Sequence, residues 1–142
     1  MQRWCALADV HILKLPQGVR ESLIAHAERE APNECCGLLI GKGQSVSDAH
    51  PARNKVASQT RFQINPSDHF VAIRKARAAG LEVIGAYHSH PNSAALPSAS
   101  DLADASEGAP VMLIVSLVPP APVVRGFLLE PNGSKEIRLI SD

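Results

Sequence analysis

Short apolar segments alternate along the chain with helical patterns, and this order restricts the folds that it can adopt. Apolar runs of four to eight residues between turn-forming residues are typical of strands, whereas apolar residues three or four apart are typical of helices. Seven segments predict strands: Val10–Leu15, Glu34–Gly41, a segment from Gly43 to near Asn54, Leu81–His90, Val111–Val118, Val123–Leu129 and Ile137–Ile140. The sequence therefore predicts an α/β domain with a mixed sheet and helices packed on it.

Three helices are expected between these strands, and the second has the clearest boundaries. Asn65 fits the N-cap, Pro66 fits the first helical position, and Asp68 is placed to reach back to the cap. Gly80 is the expected end of this helix. The other two helices follow Pro16 and Ser98 and are expected to end at Pro32 and Gly108.

The length and charge of the chain exclude several classes of protein. A chain of 142 residues suits one domain, residues 1–142, with a real core. Fourteen Lys and Arg residues balance fourteen Asp and Glu residues. This balance argues against a nucleic-acid partner or an anionic membrane surface, both of which need an excess of positive charge. The longest apolar stretch, Val111–Val118, is too short to cross a bilayer, which takes about 20 helical residues.

The cysteines indicate a reducing compartment. Cys5, Cys35 and Cys36 form an odd set in a sequence that shows no export segment, so we expect free thiols in the cytoplasm. Cys35 and Cys36 are neighbours that would point to opposite faces of a strand, which disfavours a disulfide between them.

Two histidines at the end of a predicted strand are the first candidates for chemistry. His88 and His90 share one face of the strand, with Cα atoms about 6.6 Å apart, so both imidazoles can reach one metal ion. Asp101 is expected in the first turn of the next helix, facing the end of the strand. Two histidines and one carboxylate leave the fourth tetrahedral position open, as in a catalytic zinc site.

The residues alone also allow other interpretations of this segment. A His-x-His pair on a strand is often part of the packing, and Ser98-x-x-Asp101 also matches a helix capping box. Cys35 or Cys36 could act as a nucleophile with His88 as its base, although buried strand cysteines are more often inert. Polar groups that gather at a strand end usually line a site, which favours the metal hypothesis. The remaining histidines are interpreted as solvated or packing residues: His11, His26, His50 and His69.

The spacing of these residues resembles the motif of the JAMM metalloproteases, also called the MPN+ or Mov34/PAD-1 family. His88-x-His90 is followed after seven residues by Ser98-x-x-Asp101, and Glu34 lies upstream. Two flanking segments also agree with the motif: Pro32-Asn33-Glu34 before Cys36-Gly37-Leu38-Leu39, and Phe62-Gln63-Ile64 before Asn65-Pro66. The resemblance extends from about Val19 to Arg125.

The resemblance assigns a role to each residue of the motif. It implies one Zn²⁺ held by His88, His90 and Asp101, with Glu34 as general acid/base and Ser98 as the residue that stabilises the oxyanion. The implied fold is a single-domain MPN sandwich of the cytidine-deaminase-like type, which agrees with the predicted order of elements.

Family resemblance also implies a substrate, namely the C-terminal tail of a ubiquitin-like protein. The compact length is similar to that of prokaryotic members that trim sulfur-carrier proteins after Gly-Gly, by hydrolysis of a peptide or isopeptide bond. Two alternatives stay open: an isopeptidase that removes ubiquitin-like proteins from lysine, and a non-catalytic MPN scaffold or binding module. The sequence also leaves a homodimer open.

Overall fold

The structure, a computed structural model, describes residues 11–103, 111–130 and 133–141. Seven strands and three helices lie in these ranges: β1 (Ile12–Lys14), α1 (Gln17–Glu30), β2 (Cys36–Lys42), β3 (Ser45–Ala52), α2 (Pro66–Ala78), β4 (Glu82–His90), α3 (Ala99–Ala103), β5 (Val111–Ser116), β6 (Val123–Glu130) and β7 (Gly133–Ile140). Every predicted strand and helix is therefore present, with shifted ends. The predicted start of the first strand at Val10 and the predicted end of α3 at Gly108 lie outside the described residues.

One mixed sheet contains all seven strands, in the order β1-β3-β2-β4-β5-β6-β7. Strand β4 pairs parallel with β5 and antiparallel with β2, which confirms the predicted mixed α/β sheet. The short strand β1 pairs parallel with both β3 and β7 and closes the sheet on itself. The sequence did not predict this closure, because a strand of three residues carries almost no pattern of its own.

Two helices cover opposite faces of the sheet. Helix α1 buries Val19, Leu23 and Ala27 in a cluster with alternate sheet residues that include Tyr87 of β4. Helix α2 buries Ala72 and Ala76 against the other set, which includes Ala86 of β4. Since successive strand residues face opposite sides, the residues of β4 divide between the two clusters. No helix in the described part of the chain is long and apolar enough to span a membrane.

The start and end of α2 follow the sequence signals with one exception. The Asn65 side chain accepts hydrogen bonds from the backbone N–H groups of Ser67 and Asp68 at 3.0 and 3.2 Å, as an N-cap does. Gly80, with a φ of 73°, ends the helix as predicted.

The expectation that Asp68 reaches back to the cap is wrong. Its carboxylate accepts from the backbone N–H and the guanidinium of Arg53 at 2.7 and 2.9 Å. The N–H of Asn65, which a capping box would use, donates instead to the carbonyl of Arg53 at 3.0 Å. Arg53, in the segment between β3 and α2, therefore bonds to both groups that the predicted capping box would have paired: the Asp68 carboxylate and the Asn65 N–H.

The predicted start of the second strand at Glu34 is also wrong, because β2 begins at Cys36. The Glu34 N–H donates to the Ser58 carbonyl at 2.8 Å and not to a neighbouring strand. Glu34 therefore lies between the sheet and the segment after β3.

Candidate metal centre

His88 and His90 lie at the end of β4, on the sheet face that α2 covers. Both follow Ala86 at two-residue steps, so they face the same side of the sheet as Ala86, which belongs to the cluster beneath α2. Both histidines are buried, and their Nε2 atoms are 3.2 Å apart. Oδ2 of Asp101 lies 3.1 Å from Nε2 of His88 and 3.2 Å from Nε2 of His90. The structure therefore brings the three predicted ligands into one cluster, with one ligand atom of each within 4.8 Å of the others.

A capping box at the start of α3 orients the Asp101 carboxylate. Oδ2 of Asp101 accepts from the Ser98 N–H at 2.8 Å, and Oγ of Ser98 accepts from the Asp101 N–H at 3.1 Å. The capping interpretation and the ligand interpretation of this segment are therefore compatible. Because Oγ of Ser98 acts as an acceptor in the cap, its hydroxyl hydrogen can serve a second partner, and Oγ of Ser100 lies 3.1 Å away.

The environment of each histidine ring determines which nitrogen is available. Nδ1 of His90 lies 2.9 Å from the carbonyl oxygen of Ala94, which can only accept, so Nδ1–H is the donor. Burial opposes the charged ring, but hydrogen bonds to Asp101 and Ala94 raise the pKa of His90, so Nε2–H donates to Asp101 in the metal-free chain. A metal ion must displace this proton to use the Nε2 lone pair. The His88 ring stacks on Phe62, with centroids 4.2 Å apart and planes 17° from parallel. Both rings are thus held with Nε2 towards the cluster.

Glu34 reaches the cluster across the antiparallel pair of β2 and β4. The Cys35 N–H donates to Oγ of Ser89 at 2.8 Å, and the Ser89 N–H donates to the Cys35 carbonyl at 3.1 Å. Extending this register by one residue places Glu34 across from His90. The Glu34 side chain is buried, and its Oε1 has no hydrogen-bond partner among the described residues.

Burial and neighbouring charges set the protonation of these groups in the metal-free chain. Burial raises the pKa of Glu34 to about 7, a shift that His90 opposes and the negative charge of Asp101 supports. Burial alone would raise the pKa of Asp101, but hydrogen bonds from His88 and His90 hold it well below its usual range. Burial lowers the pKa of His88. At neutral pH, Asp101 is therefore ionised and His88 is neutral, which are their metal-binding forms.

The donor set fits a divalent transition metal ion. Two imidazole nitrogens and a carboxylate oxygen converge in a buried place, and borderline-soft metals such as zinc favour such ligands. The unpartnered Oε1 of Glu34 adds a proton acceptor beside them. Within residues 11–103, 111–130 and 133–141, no other group of three such side chains converges in this way.

A comparison with protein families decides how this cluster is classified. The family of prokaryotic homologues of the JAB domain matches residues 16–128. The chain belongs to this family. The matched range includes Glu34, His88, His90, Ser98 and Asp101, so the whole predicted site lies within the JAB domain. The resemblance inferred from the motif is thereby confirmed.

Three relatives of this JAB domain have names that describe peptidases. A desampylase of Haloferax volcanii is 37% identical over 112 residues, which cover 73% of this chain and 80% of the relative. A probable TtuB-protein conjugate cleaving protease of Thermus thermophilus is 34% identical over 130 residues, covering 91% and 82%. A CysO-cysteine peptidase of Mycobacterium tuberculosis is 30% identical over 100 residues, covering 69% and 68%. With this membership and these relatives, the chain is an enzyme of the hydrolase class.

The fold of the JAB domain also has a similar solved structure. Protein DSY2949 of Desulfitobacterium hafniense superposes with a TM-score of 0.83 at 34% identity, and the match covers 91% of each chain. A JAB1/MPN domain protein of Archaeoglobus fulgidus has the same fold, with a TM-score of 0.59 at 19% identity over 90% of this chain and 99% of that one. This shared fold and the two helices on opposite sheet faces confirm the predicted fold class, an MPN-type α/β sandwich.

Sequence reasoning missed two contributors to the site of the JAB domain. Phe62 was noted only as part of a flanking segment, although it stacks on His88. The carbonyl of Ala94, which orients His90, is a backbone group and leaves no signal in a side-chain pattern. Both contacts depend on where two loops meet the end of β4.

The other chemical candidates receive no support from the structure. Burial raises the pKa of Cys35 to about 11 and that of Cys36 to about 12, so neither thiol ionises readily at neutral pH. His26 is a packing histidine as interpreted, with Nδ1 2.8 Å from the hydroxyl of Tyr87 in the core. These observations leave the cluster at the end of β4 as the candidate site.

Proposed function

We propose that this chain is a zinc-dependent peptidase that cuts after the Gly-Gly tail of a ubiquitin-like or sulfur-carrier protein. The observation that carries the proposal is the buried cluster of His88, His90 and Asp101 with the Glu34 carboxyl across from it. The three clustered side chains are the zinc ligands. When bound, zinc supplies a Lewis acid that polarises a carbonyl and makes water more acidic.

Glu34 is the general acid/base in this proposal. It takes a proton from the attacking water and later delivers it to the leaving amine. Its unpartnered Oε1 is free to accept that proton. Burial raises its pKa to about 7 in the metal-free chain, which makes the carboxyl a better proton acceptor than an exposed glutamate.

Ser98 donates a hydrogen bond to the carbonyl oxygen of the scissile bond as negative charge develops there. Its Oγ accepts from the Asp101 N–H within the cap, and when the Ser100 hydroxyl, 3.1 Å away, also donates to it, the Ser98 hydroxyl hydrogen is left for the substrate. Removal of one such donor costs about 100- to 1,000-fold in rate in comparable sites.

The names of the relatives support two kinds of scissile bond. The name CysO-cysteine peptidase supports our main proposal, the release of a C-terminal residue through a peptide bond. The names desampylase and TtuB-protein conjugate cleaving protease favour the second candidate, an isopeptidase that frees a ubiquitin-like protein from lysine. In either case the tail would lie extended along a strand, with hydrogen bonds from its backbone.

A non-catalytic scaffold is the least supported alternative. A scaffold would have no need for a metal-ligand cluster. It would also have no need for a His90 ring oriented by the Ala94 carbonyl, or for the buried Glu34 carboxyl with an unpartnered Oε1 beside that cluster. The chain keeps all five residues of the motif in this arrangement.

The experiment compares two substrates built on one carrier protein that ends in Gly-Gly. One carries an additional residue after Gly-Gly, and the other is joined through Gly-Gly to a lysine side chain. Mass spectrometry after incubation with the zinc-loaded chain identifies the bond that is cut. We expect rapid cleavage of the extended carrier by the native chain, and only very slow cleavage with Glu34→Gln or with the chain freed of metal. Cleavage by Glu34→Gln at the native rate, or of neither substrate by the native chain, would contradict the proposal.

We also propose that residues 1–142 form one domain and that the enzyme works in the cytoplasm. Strands β1 and β7 pair with each other, so both ends of the described chain belong to the same sheet. Cys35 and Cys36 are free thiols, which suits a reducing compartment.

A further inference from the structure

One half-buried side chain, Asn54, connects two segments that border the ligand cluster. Its Nδ2 donates to the carbonyls of Glu34 and Arg61 at 3.1 and 3.0 Å. Its Oδ1 accepts from the N–H groups of Gln63 and Val56 at 3.0 and 3.2 Å. A carboxamide has two N–H donors and two acceptor lone pairs, so these four bonds use its full capacity.

The bonds of Asn54 hold two side chains of the site at once. The residues before and after Phe62 are both bonded to Asn54, so the segment that presents Phe62 to His88 is held on each side. The third bond holds the backbone of Glu34. Asn54 therefore links the acid of the site to the ring that packs on a zinc ligand.

Glu34 depends on this loop because the regular pairing of β2 begins two residues later, at Cys36. Its backbone N–H donates to the carbonyl of Ser58, and its carbonyl accepts from Asn54. Both of these backbone bonds of Glu34 thus lead to the segment after β3. The position of its carboxyl group follows the position of that segment.

We propose that Asn54 is a positioning residue that sets the place of the Glu34 carboxyl relative to the ligand cluster. The inference rests on the proposed function, since it assumes that Glu34 moves a proton. A reacting group that is displaced by about 1 Å can lose about 100-fold in rate, so loss of the bond to Glu34 should act mainly on kcat. A merely structural role would instead lower the stability of the loop and affect activity whether or not Glu34 is present.

A double-mutant cycle distinguishes these two roles. Asn54→Ala is compared in the native chain and in Glu34→Gln, with saturating enzyme in excess over a Gly-Gly-extended carrier. Slow cleavage can then be measured, and the rate constant of this single turnover takes the place of kcat. We expect Asn54→Ala to lower kcat about 10- to 100-fold in the native chain. In Glu34→Gln we expect a loss of less than about twofold, because the carboxylate on which Asn54 acts is already absent.

Asn65→Ala is the matched control. It also removes an asparagine that bonds to backbone N–H groups, here at the start of α2, and it has no bond to Glu34. We expect this control to keep kcat, and both asparagine variants to keep about one zinc per chain, because β4 and α3 supply the ligands. If Asn54→Ala does not fold, Asn54→Ser serves, since its shorter side chain gives up the bond to the Glu34 carbonyl without adding a charge.

A readout that does not need activity is the ¹³C resonance of the Glu34 carboxyl in the metal-free chain, assigned by its loss in Glu34→Gln. We expect this resonance to shift in Asn54→Ala and to stay in place in Asn65→Ala. An equal loss of kcat in both backgrounds, a loss of zinc, or an unshifted resonance would overturn the inference. If the native chain cleaves nothing, the proposed function fails, whereas the resonance still decides whether Asn54 positions Glu34.

Discussion

Replacement of Glu34 by Gln should make the metal-free protein more stable above neutral pH, while it greatly slows cleavage by the zinc-loaded enzyme. The buried carboxyl has a pKa of about 7, against an ordinary value of 4.5 that applies in the unfolded chain. As pH rises, the unfolded state loses this proton first and the folded state holds it longer, so the native protein loses stability between these two values. The shift of about 2.5 units corresponds to about 3 kcal/mol at 1.36 kcal/mol per unit.

Urea unfolding of the metal-free native chain and of Glu34→Gln, from pH 4.5 to 8.5, measures this difference. At pH 4.5 the folded chain holds Glu34 protonated, and a protonated glutamate and a glutamine have nearly the same shape and charge, so the two free energies of unfolding should nearly agree. Above pH 7 the variant should be more stable by about 3 kcal/mol. A difference that does not depend on pH would refute the conclusion that Glu34 is buried and ionises only with difficulty.

Three further predictions concern activity, metal affinity and packing. In the zinc-loaded enzyme kcat/KM should fall about tenfold per pH unit on the acid side of an apparent pKa at or below about 7. The reason is that Glu34 must be ionised to accept a proton, and a bound cation favours the carboxylate. A profile that is flat from pH 5 to 8 would contradict this prediction. Phe62→Leu removes the ring that stacks on His88 and should weaken zinc affinity about 10-fold in a competition titration. Unchanged affinity would show that the stack does not orient the ligand. Gly37→Ala places a Cβ atom in close contact with the ring and hydroxyl of Tyr87. This substitution should lower the stability of the fold by about 1–3 kcal/mol, measured by thermal unfolding. A variant as stable as the native chain would show that Tyr87 can move away.

Much of the site could be predicted because its signals are local in sequence. His88 and His90 share a face through the two-residue period of a strand, and Ser98 and Asp101 face each other through the spacing of a capping box. Each pattern fixes its geometry over a few residues. The convergence of the three ligand atoms follows once β4 and α3 are joined by a short loop.

The rest of the site and of the fold depends on contacts between distant segments. Phe62 stacks on a ring 26 positions later in the chain, and Asn54 bonds to a residue 20 positions earlier. The closure of the sheet through β1 and the pairing of Asp68 with Arg53 are of the same kind. Periodicity and capping rules describe neighbours along the chain, so they contain no information on which loop will meet which strand end.

The central claim is that His88, His90 and Asp101 hold one zinc ion, and elemental mass spectrometry tests it most directly. The native chain, Asp101→Ala and the control Asp48→Ala are purified without chelator and reconstituted with zinc. Asp48 is an exposed carboxylate that pairs with Lys75, so its removal should leave the metal in place. We predict about one zinc per chain in the native protein and in the control, and almost none in Asp101→Ala. A native chain without zinc, or an Asp101→Ala variant that keeps it, would contradict the account.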